Sequence, residues 1–115
     1  MANPGENPAS KLEHDLRRGV LVLAVLSQLR DFQYGYSLRH ALAQRGMPIE
    51  EGTLYPMLRR LESQGLLASE WRIEDGPPRR YYRLNDAGEA LLAELTVSWS
   101  ALGATMAGLL ERNGA

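Results

Sequence analysis

The clearest hydrophobic pattern in the middle of the chain lies in residues 51–65, EGTLYPMLRRLESQG. Leu54, Leu58 and Leu61 recur at i, i+4 and i+7, a spacing that places apolar side chains on one face of a helix. Gly65 follows the last of them, where a glycine ends a helix at the least steric cost. The pattern predicts an amphipathic helix with a polar outer face.

The polar face of this helix carries side chains that suit a DNA groove. They are Thr53, Tyr55, Arg59, Arg60 and Gln64. An α-helix fits the major groove, and arginine can contact both guanine edges and phosphates. The alternative is a surface helix whose arginines are merely solvated, because charged outer faces are common. The helix alone does not decide between the two.

The chain before this helix predicts a long first helix. Ser10 and Glu13 have the spacing of a capping box, which predicts a helix from about Lys11 to about Arg30. Apolar residues occupy every side of it between Val20 and Leu26. A helix that is apolar all round is buried all round, so we expect a neighbouring subunit to cover its second face.

A short second helix is predicted from about Tyr36 to Gln44, after a loop at residues 31–36 (DFQYGY). Gly46 and Pro48 end it, because proline disfavours helix at the residue before it. Two helices joined by a short glycine-containing turn, the second with a polar outer face, are typical of a helix-turn-helix.

A β-hairpin is predicted directly behind these helices. Residues 67–72 alternate between apolar and polar side chains, residues 74–78 (EDGPP) have strong turn chemistry, and residues 79–84 (RRYYRL) form a second strand. Such a hairpin is a wing, and Arg79 and Arg80 at its tip would reach phosphates or the adjacent minor groove. The alternative is an ordinary hairpin whose arginines offset nearby acidic residues.

The last helix, capped by Asn85 or Asp86, carries the longest regular pattern. Its apolar positions step by three and four residues through Leu92, Leu95, Trp99, Leu102, Met106 and Leu109. This spacing describes a helix–helix seam. The seam must pack on the first helix, pair with its copy in a second subunit, or do both. We therefore interpret it as a homodimer interface that also involves the first helix.

The predicted organisation is a disordered lead-in at residues 1–9, a winged helix-turn-helix domain at 10–85 and a dimerisation helix at 86–115. The fold class is mainly α with a small β-hairpin, in the order α-α-α-β-β-α. A net charge of −1 argues against a non-specific nucleic-acid coat. The basic residues are nevertheless concentrated in the middle of the chain, at Arg59, Arg60, Arg72, Arg79, Arg80 and Arg83.

The motifs of this sequence do not indicate an enzyme. His14 and His40 have no partner motif, and phosphate-binding loops, zinc-protease motifs and nucleophile elbows are missing from the sequence. There is no cysteine, so disulfides and thiolate metal sites are excluded. We expect no cofactor and no metal. The longest apolar run, residues 20–26, is far too short to span a membrane, and we expect a cytoplasmic protein.

Two runs, GTLYPMLRRLESQGLLASEW and GPPRRYYRLNDAGEALL, together with YGYSL upstream, resemble the PadR family of bacterial transcriptional regulators. The resemblance covers about residues 16–110 and looks like the compact subgroup with one C-terminal dimerisation helix. It implies a homodimeric winged-helix repressor of an inverted-repeat operator, often relieved by small aromatic or drug-like molecules. A winged helix used only for protein contacts is the alternative.

The resemblance and the polar helix face together nominate the DNA-binding residues, which are Tyr36, Ser37, Thr53, Tyr55, Pro56, Arg59, Arg60, Arg79 and Arg80. Arg59 is the candidate for a base or groove contact. Arg80 stands where the family commonly has lysine, and Asn85 replaces the usual threonine. Glu51 could contact cytosine, but an acid at a helix N-terminus more simply complements the helix dipole.

Trp99 has two interpretations. Tryptophan at a seam position is usually a large core residue. The functional reading places Trp99, with Leu102 and Met106, at a gap in the centre of the dimer, where a flat aromatic effector could stack. The compact PadR subgroup often carries such a tryptophan, which favours the second reading.

Overall fold

A computed structural model describes residues 7–112 as a winged helix-turn-helix with a small antiparallel sheet. Its helices are α1 (Pro8–Ser27), α2 (Gly35–Gln44), α3 (Glu51–Ser63) and α4 (Asp86–Leu110). Its strands are β1 (Gln33–Tyr34), β2 (Leu67–Arg72) and β3 (Arg79–Leu84). The fold class predicted from the sequence is confirmed.

Helix α1 begins earlier than predicted. The Asn7 side chain caps it by accepting a hydrogen bond of 2.8 Å from the backbone N–H of Ser10. Pro8 opens the helix, at a position where its missing N–H would be unpaired in any residue. The predicted capping box at Ser10 and the predicted start near Lys11 are therefore wrong. The predicted end near Arg30 is also wrong, because α1 ends at Ser27. Pro8 and Ala9 are helical instead of belonging to the expected lead-in, and residues 1–6 lie outside the described residues.

Helices α2 and α3 end in the same way, with a glycine in the left-handed conformation. Gly46 has φ of 86° and Gly65 has φ of 78°. After α3, the N–H of Gly65 donates to the Glu62 carbonyl and the N–H of Leu66 donates to the Leu61 carbonyl. These two bonds form a Schellman motif, which satisfies carbonyls that the helix end leaves free. The predicted cap at Gly65 is confirmed.

The strand β1 was not predicted. Gln33 and Tyr34, expected in a loop, pair antiparallel with Tyr82 and Tyr81, which makes a sheet of order β1-β3-β2. Two residues are too few for an alternating pattern to be visible in the sequence. The pairing is possible because β3 pairs with β2 along one edge only, which leaves its other edge open to this segment.

Strands β2 and β3 have the predicted bounds and pair from Leu67 opposite Leu84 to Arg72 opposite Arg79. Side chains alternate between the two faces of a strand. Tyr82 and Leu84 of β3 are therefore buried together, while Arg83 between them is exposed. The hairpin adds one apolar face to the core and leaves the other in solvent.

The core lies where the ends of the elements meet. Its fully buried side chains come from the end of α1, the segment that follows it, α2 and α3, and they are Val25, Leu26, Leu29, Leu38, Leu54 and Leu58. Leu92 of α4 is only 3% exposed and Leu95 packs against the same cluster. These two seam positions thus pack within the chain itself, which is one of the alternatives that the sequence left open for the seam.

The outer halves of α1 and α4 extend beyond this core and are not covered. In α4, Trp99 is 51% exposed, Leu102 is 56% exposed and Leu109 is 71% exposed. Leu12 and Leu16 of α1 are also exposed. Burial of α1 on all sides does not occur within one chain, in which Val25 and Leu26 are its fully buried residues. Large apolar surfaces of this kind mark interaction sites.

We predict that Gly88→Ala destabilises the fold. A Cβ at Gly88 would collide with the Leu66 carbonyl oxygen, which is anchored because it accepts the N–H of Asn85. Overpacking costs about 1–3 kcal/mol, which should exceed the gain of about 1 kcal/mol in helix propensity. Thermal unfolding checks this. Gly108→Ala is the control because a Cβ there meets nothing within 4 Å; equal melting temperatures for the two variants would contradict the prediction.

Candidate nucleic-acid interface

The outer face of α3 is oriented by the burial of the opposite face. Leu54, Met57, Leu58 and Leu61 point into the core. The predicted contact residues on the other side, which are Thr53, Tyr55, Pro56, Arg59 and Arg60, are all exposed. The amphipathic pattern therefore gives the correct orientation, and the two arginines of α3 lie at the surface.

The start of α2 is held by a hydrogen-bonded turn. The Ser37 hydroxyl accepts the N–H of Tyr34 at 3.1 Å and donates to the Tyr34 carbonyl at 2.9 Å. Ser37 is thus engaged within the protein. Tyr36 is 63% exposed, and its ring stacks on Tyr34 and on His40, with ring centres 6.3 Å and 6.1 Å apart.

His40 is an exposed neighbour of this site that sequence reasoning did not include. It lies one helical turn beyond Tyr36, so the two side chains share a face. The i+4 spacing of Tyr36 and His40 was a signal available in the sequence.

Tyr55 joins the start of α2 to the exposed face of α3. Its phenol ring lies directly on Gly35, where any Cβ would collide with the ring. Gly35 is buried and begins α2. The absence of a side chain at this position therefore determines where Tyr55 lies.

A groove of about 400 Å³ separates α3 from the hairpin. Tyr55 and Arg59 line one side, Arg79 and Arg80 line the other, and Tyr82 is at the floor. Burial is the main cause that raises the pKa of the Tyr82 phenol, although the nearby Arg80 opposes it. Tyr82 is therefore neutral at physiological pH, and the cationic groups of the groove are its arginines.

The two adjacent arginines of β3 point to opposite faces of the hairpin. The guanidinium of Arg79 lies over the Tyr34 ring, 4.6 Å from its centre. The guanidinium of Arg80 faces α3 and forms an ion pair of 2.7 Å with the Glu62 carboxylate. Alternation along a strand separates neighbouring side chains in this way. Arg80, nominated as a phosphate contact, already has a partner within the protein.

The tip of the hairpin is acidic. Strand β2 ends at Arg72 and β3 begins at Arg79, so the exposed turn between them contains Glu74 and Asp75. Gly76 has φ of 116° in this turn, a conformation that other residues rarely adopt. The arginines were expected at the tip, and this placement was wrong: they lie at the base of the turn.

The outer face of the sheet carries stacked arginines that sequence reasoning missed. Arg72 lies 4.8 Å from the ring centre of Phe32 and 4.2 Å from that of Tyr81, and Arg83 lies 4.9 Å from that of Phe32. Cation–π contacts at exposed sites contribute about 0.5–1 kcal/mol. They stabilise the hairpin on this face.

Glu51 is engaged at the start of α3. Its carboxylate pairs with Arg39 at 3.0 Å, and Arg39 also donates to the Ile49 carbonyl at 3.2 Å. An acidic residue in the first turn complements the helix dipole. These contacts support the structural interpretation of Glu51 over a contact with cytosine.

A second cavity, of about 830 Å³, lies between α1 and α4. It is lined mostly by apolar side chains, among them Leu16, Val20, Leu23, Met47, Trp99 and Leu102. The structure thus places Trp99 and Leu102 in one cavity. Met106, the third nominated effector residue, does not line it and lies further along α4 at 42% exposure.

Between residues 7 and 112, the structure brings together no group of three or more His, Cys, Asp or Glu side chains that could hold a metal ion. The groove beside α3 offers arginine and aromatic side chains as binding groups. The cavity between α1 and α4 offers mainly aliphatic side chains together with Trp99. Such groups suit phosphates in the first cavity and flat apolar molecules in the second.

Comparison with known proteins agrees with this geometry. Residues 22–94 match the transcriptional regulator PadR-like family. A transcriptional regulator of Mycobacterium tuberculosis is 42% identical over 81 residues, which cover 70% of this chain and 76% of that protein.

Solved structures of PadR regulators are also similar. One from Eggerthella lenta has 52% sequence identity and a TM-score of 0.86, with 91% of this chain and 94% of that chain covered. Another from Bacillus cereus has 30% identity and a TM-score of 0.76, with 86% and 99% covered. Proteins of this family are not enzymes. The chain therefore belongs to the PadR-like family of transcriptional regulators.

Proposed function

We propose that this DNA-binding regulator is a homodimeric repressor of an inverted-repeat operator. Two copies of α3 would enter successive major grooves about 34–36 Å apart. The observation that carries the proposal is the groove where Tyr55, Arg59 and Arg79 converge, combined with an uncovered apolar seam on α4. The first supplies a DNA surface and the second supplies the means to hold two such surfaces at a fixed distance.

The exposed side chains divide into base and backbone contacts. We propose Arg59 as the base contact, with Thr53, Pro56 and Arg60 beside it on α3. Tyr36, Tyr55 and Arg79 would contact phosphates and set the register of the protein on the duplex. Ser37 would act indirectly, since its hydroxyl holds the first turn of α2 and thereby the position of Tyr36.

The dimer would form between the uncovered parts of α4 and α1. Trp99, Leu102, Met106 and Leu109 continue the seam beyond the core of the chain, and a second copy offers the same surface.

Helix α4 is also long and apolar enough, by length and composition alone, to cross a membrane. Heptad spacing favours a protein partner, and the DNA-binding family supports our assignment to the cytoplasm.

A winged helix that contacts only proteins is the second candidate. It would not need arginines on both sides of the groove between α3 and the hairpin, and this arrangement favours DNA. Retention of the protein on duplex DNA at low salt separates the two candidates. Failure to bind any DNA under those conditions would support the protein-binding module.

We predict that selection from random duplexes recovers an inverted repeat. Because a two-fold dimer presents the same α3 to each half-site, the two halves should be related by symmetry, with centres one helical turn apart. Sequencing of the bound fragments and a mobility-shift titration of the recovered site are the measurements. Recovery of a single asymmetric half-site, bound by one chain, would contradict the dimeric arrangement.

The cavity between α1 and α4 is our candidate effector site. Its aliphatic lining and Trp99 suit a flat hydrophobic molecule, and it adjoins the seam that we assign to the dimer. A ligand that fills it can shift DNA binding only if it favours a dimer in which the α3 helices have a different separation.

We predict that planar aromatic compounds quench the fluorescence of Trp99. Trp71 is the second tryptophan of the chain and lies in the hairpin, so Trp71→Phe isolates the signal of Trp99. Leu16→Arg, which places a charge in the cavity lining, should weaken the quenching. No change in Trp99 emission across a broad panel of such compounds would argue against an effector site here.

A further inference from the structure

A polar cluster connects the end of α3 to both strands of the hairpin. Glu62 lies in the last turn of α3, Ser69 in β2 and Arg80 in β3. One carboxylate oxygen of Glu62 accepts a hydrogen bond from the Ser69 hydroxyl, and the other accepts one of 2.7 Å from Arg80. Arg80 also donates to the Ser69 oxygen, at 3.1 Å and 3.3 Å. We call these three residues the wing latch.

The guanidinium of Arg80 is paired and also lies near two aromatic rings, although its side chain remains 39% exposed. It lies 5.8 Å from the Trp71 ring centre and 5.6 Å from that of Tyr82. The hydrogen bond from Ser69 and the nearby Arg80 lower the pKa of Glu62, with burial acting in the opposite direction. Glu62 is therefore ionised at neutral pH and compensates the charge of Arg80.

The neighbouring Arg79 has a different environment. It is exposed and lies over Tyr34 on the opposite face of the strand. The two arginines are adjacent in sequence and both line the groove beside α3, yet only Arg80 is opposed by a carboxylate at 2.7 Å. Arg79 is therefore a matched control for Arg80, because it is the adjacent arginine without an ion pair to Glu62.

We propose that the wing latch fixes the hairpin against α3 and that Glu62 withholds the charge of Arg80 from DNA. The inference rests on the proposed DNA-binding function and refines it. Arg80 is a positioning residue, and Arg79 supplies the phosphate contact of the hairpin. Glu62 thereby acts as a determinant of specificity, since it removes a sequence-independent attraction and holds the groove at one width.

Pairing with Glu62 changes what Arg80 contributes to DNA binding. Each phosphate that a protein neutralises releases counterions, so the slope of log K against log salt steepens by about 0.9 per contact. A cation already paired with a carboxylate makes no such contribution. Unpairing Arg80 by removing the charge of Glu62 would therefore increase affinity for any duplex, whatever its sequence.

The test compares Glu62→Gln, Arg80→Ala and Arg79→Ala in the full-length protein, by titrating the selected operator and an unrelated duplex at several salt concentrations. For Glu62→Gln, we expect a steeper slope and several-fold tighter binding of the unrelated duplex, which lowers the ratio of specific to non-specific affinity. For Arg80→Ala, we expect an unchanged slope with weaker operator binding, because the hairpin is no longer held. For Arg79→Ala, the slope should fall by about 0.9 for each subunit.

Arg80→Lys should restore operator binding, since a lysine can still pair with Glu62. Ser69→Ala, which preserves both charges, serves if Glu62→Gln fails to fold. It should weaken operator binding without a change in slope. A slope that falls as much in Arg80→Ala as in Arg79→Ala would overturn the proposal, because Arg80 would then neutralise a phosphate.

Failure of the latch is distinguishable from failure of the proposed function. If the unmodified protein bound no DNA at low salt, the proposed function would fail. A thermal double-mutant cycle of Glu62→Gln and Arg80→Ala without DNA would still test the latch. Coupling between the two substitutions supports it, and additive shifts in melting temperature overturn it.

Discussion

Replacing Arg59 with alanine is expected to produce the largest loss of operator affinity among single changes on the DNA-facing surface. Arg59 is exposed on α3 and lines the groove shared with the hairpin. A bidentate arginine–guanine contact contributes about 1–3 kcal/mol of discrimination. That corresponds to a loss of about 5- to 150-fold at each half-site. Mobility-shift titration with the selected operator and with single-base variants of it measures this loss.

Arg59→Lys is the matched control for this prediction. Lysine keeps the charge but loses the planar fork that pairs with a guanine edge. We therefore expect Arg59→Lys to retain non-specific affinity and the salt slope while losing discrimination at one base position. If the lysine variant discriminates between operator variants as well as the original protein does, Arg59 contacts phosphate instead of a base.

Replacing Leu102 with glutamate is expected to convert the dimer into monomers. Leu102 is 56% exposed in the single chain, so the change should leave the fold of each chain intact. In the proposed dimer it would bury a carboxylate in an apolar seam, which is costly without a partner. Sedimentation velocity should detect the monomer, and circular dichroism should show retained helix.

Loss of the dimer should also remove most operator binding. When one α3 is bound, its partner is held at a high effective concentration at the second half-site, and such linkage strengthens binding by about 10²–10⁴-fold. We therefore expect the Leu102→Glu protein to bind the operator at least 100-fold more weakly, at the low end of that range.

Val97→Glu is the control because Val97 is also exposed, at 70%, on the same helix, and its heptad position is the one furthest from the seam. It should remain dimeric and bind the operator normally. A dimer that survives Leu102→Glu but not Val97→Glu would place the interface on the other side of α4.

The wing latch shows that the number of arginines in a segment does not predict how many of them are available to contact DNA. In the sequence, Arg79 and Arg80 look equivalent, and both were nominated as phosphate contacts. Strand alternation guarantees that they point to opposite faces. The arginine that points toward α3 is selected by the register of β3 against β2 and by the packing of Tyr82 and Leu84 in the core. These contacts involve residues outside the Arg79–Arg80 pair and its immediate neighbours.

The nominated seam on α4 illustrates the same limit. Six positions share one heptad pattern, yet Leu92 lies in the core of its own chain while Leu109 remains exposed. The pattern reports that a face is apolar. It does not report which neighbour covers each turn, because that depends on where the other helices end.

Much of the fold was determined by the sequence itself. Several features arise from residues within a few positions of each other. They are the amphipathic face of α3, the Schellman motif at Gly65, the bounds of β2 and β3, and the cap that Asn85 provides to α4. Local steric preferences and hydrogen bonds are sufficient to specify them, and the resemblance to PadR regulators rests on the same segments.

Only the tertiary structure decided how these elements meet. It paired β1 with β3, placed Tyr55 on Gly35 and turned Arg80 toward Glu62, and it left acidic residues at the tip of the hairpin. Each of these features depends on contacts between segments far apart in the chain. Periodicity and capping act over a turn or two of backbone, so they leave such contacts undetermined until the core packs.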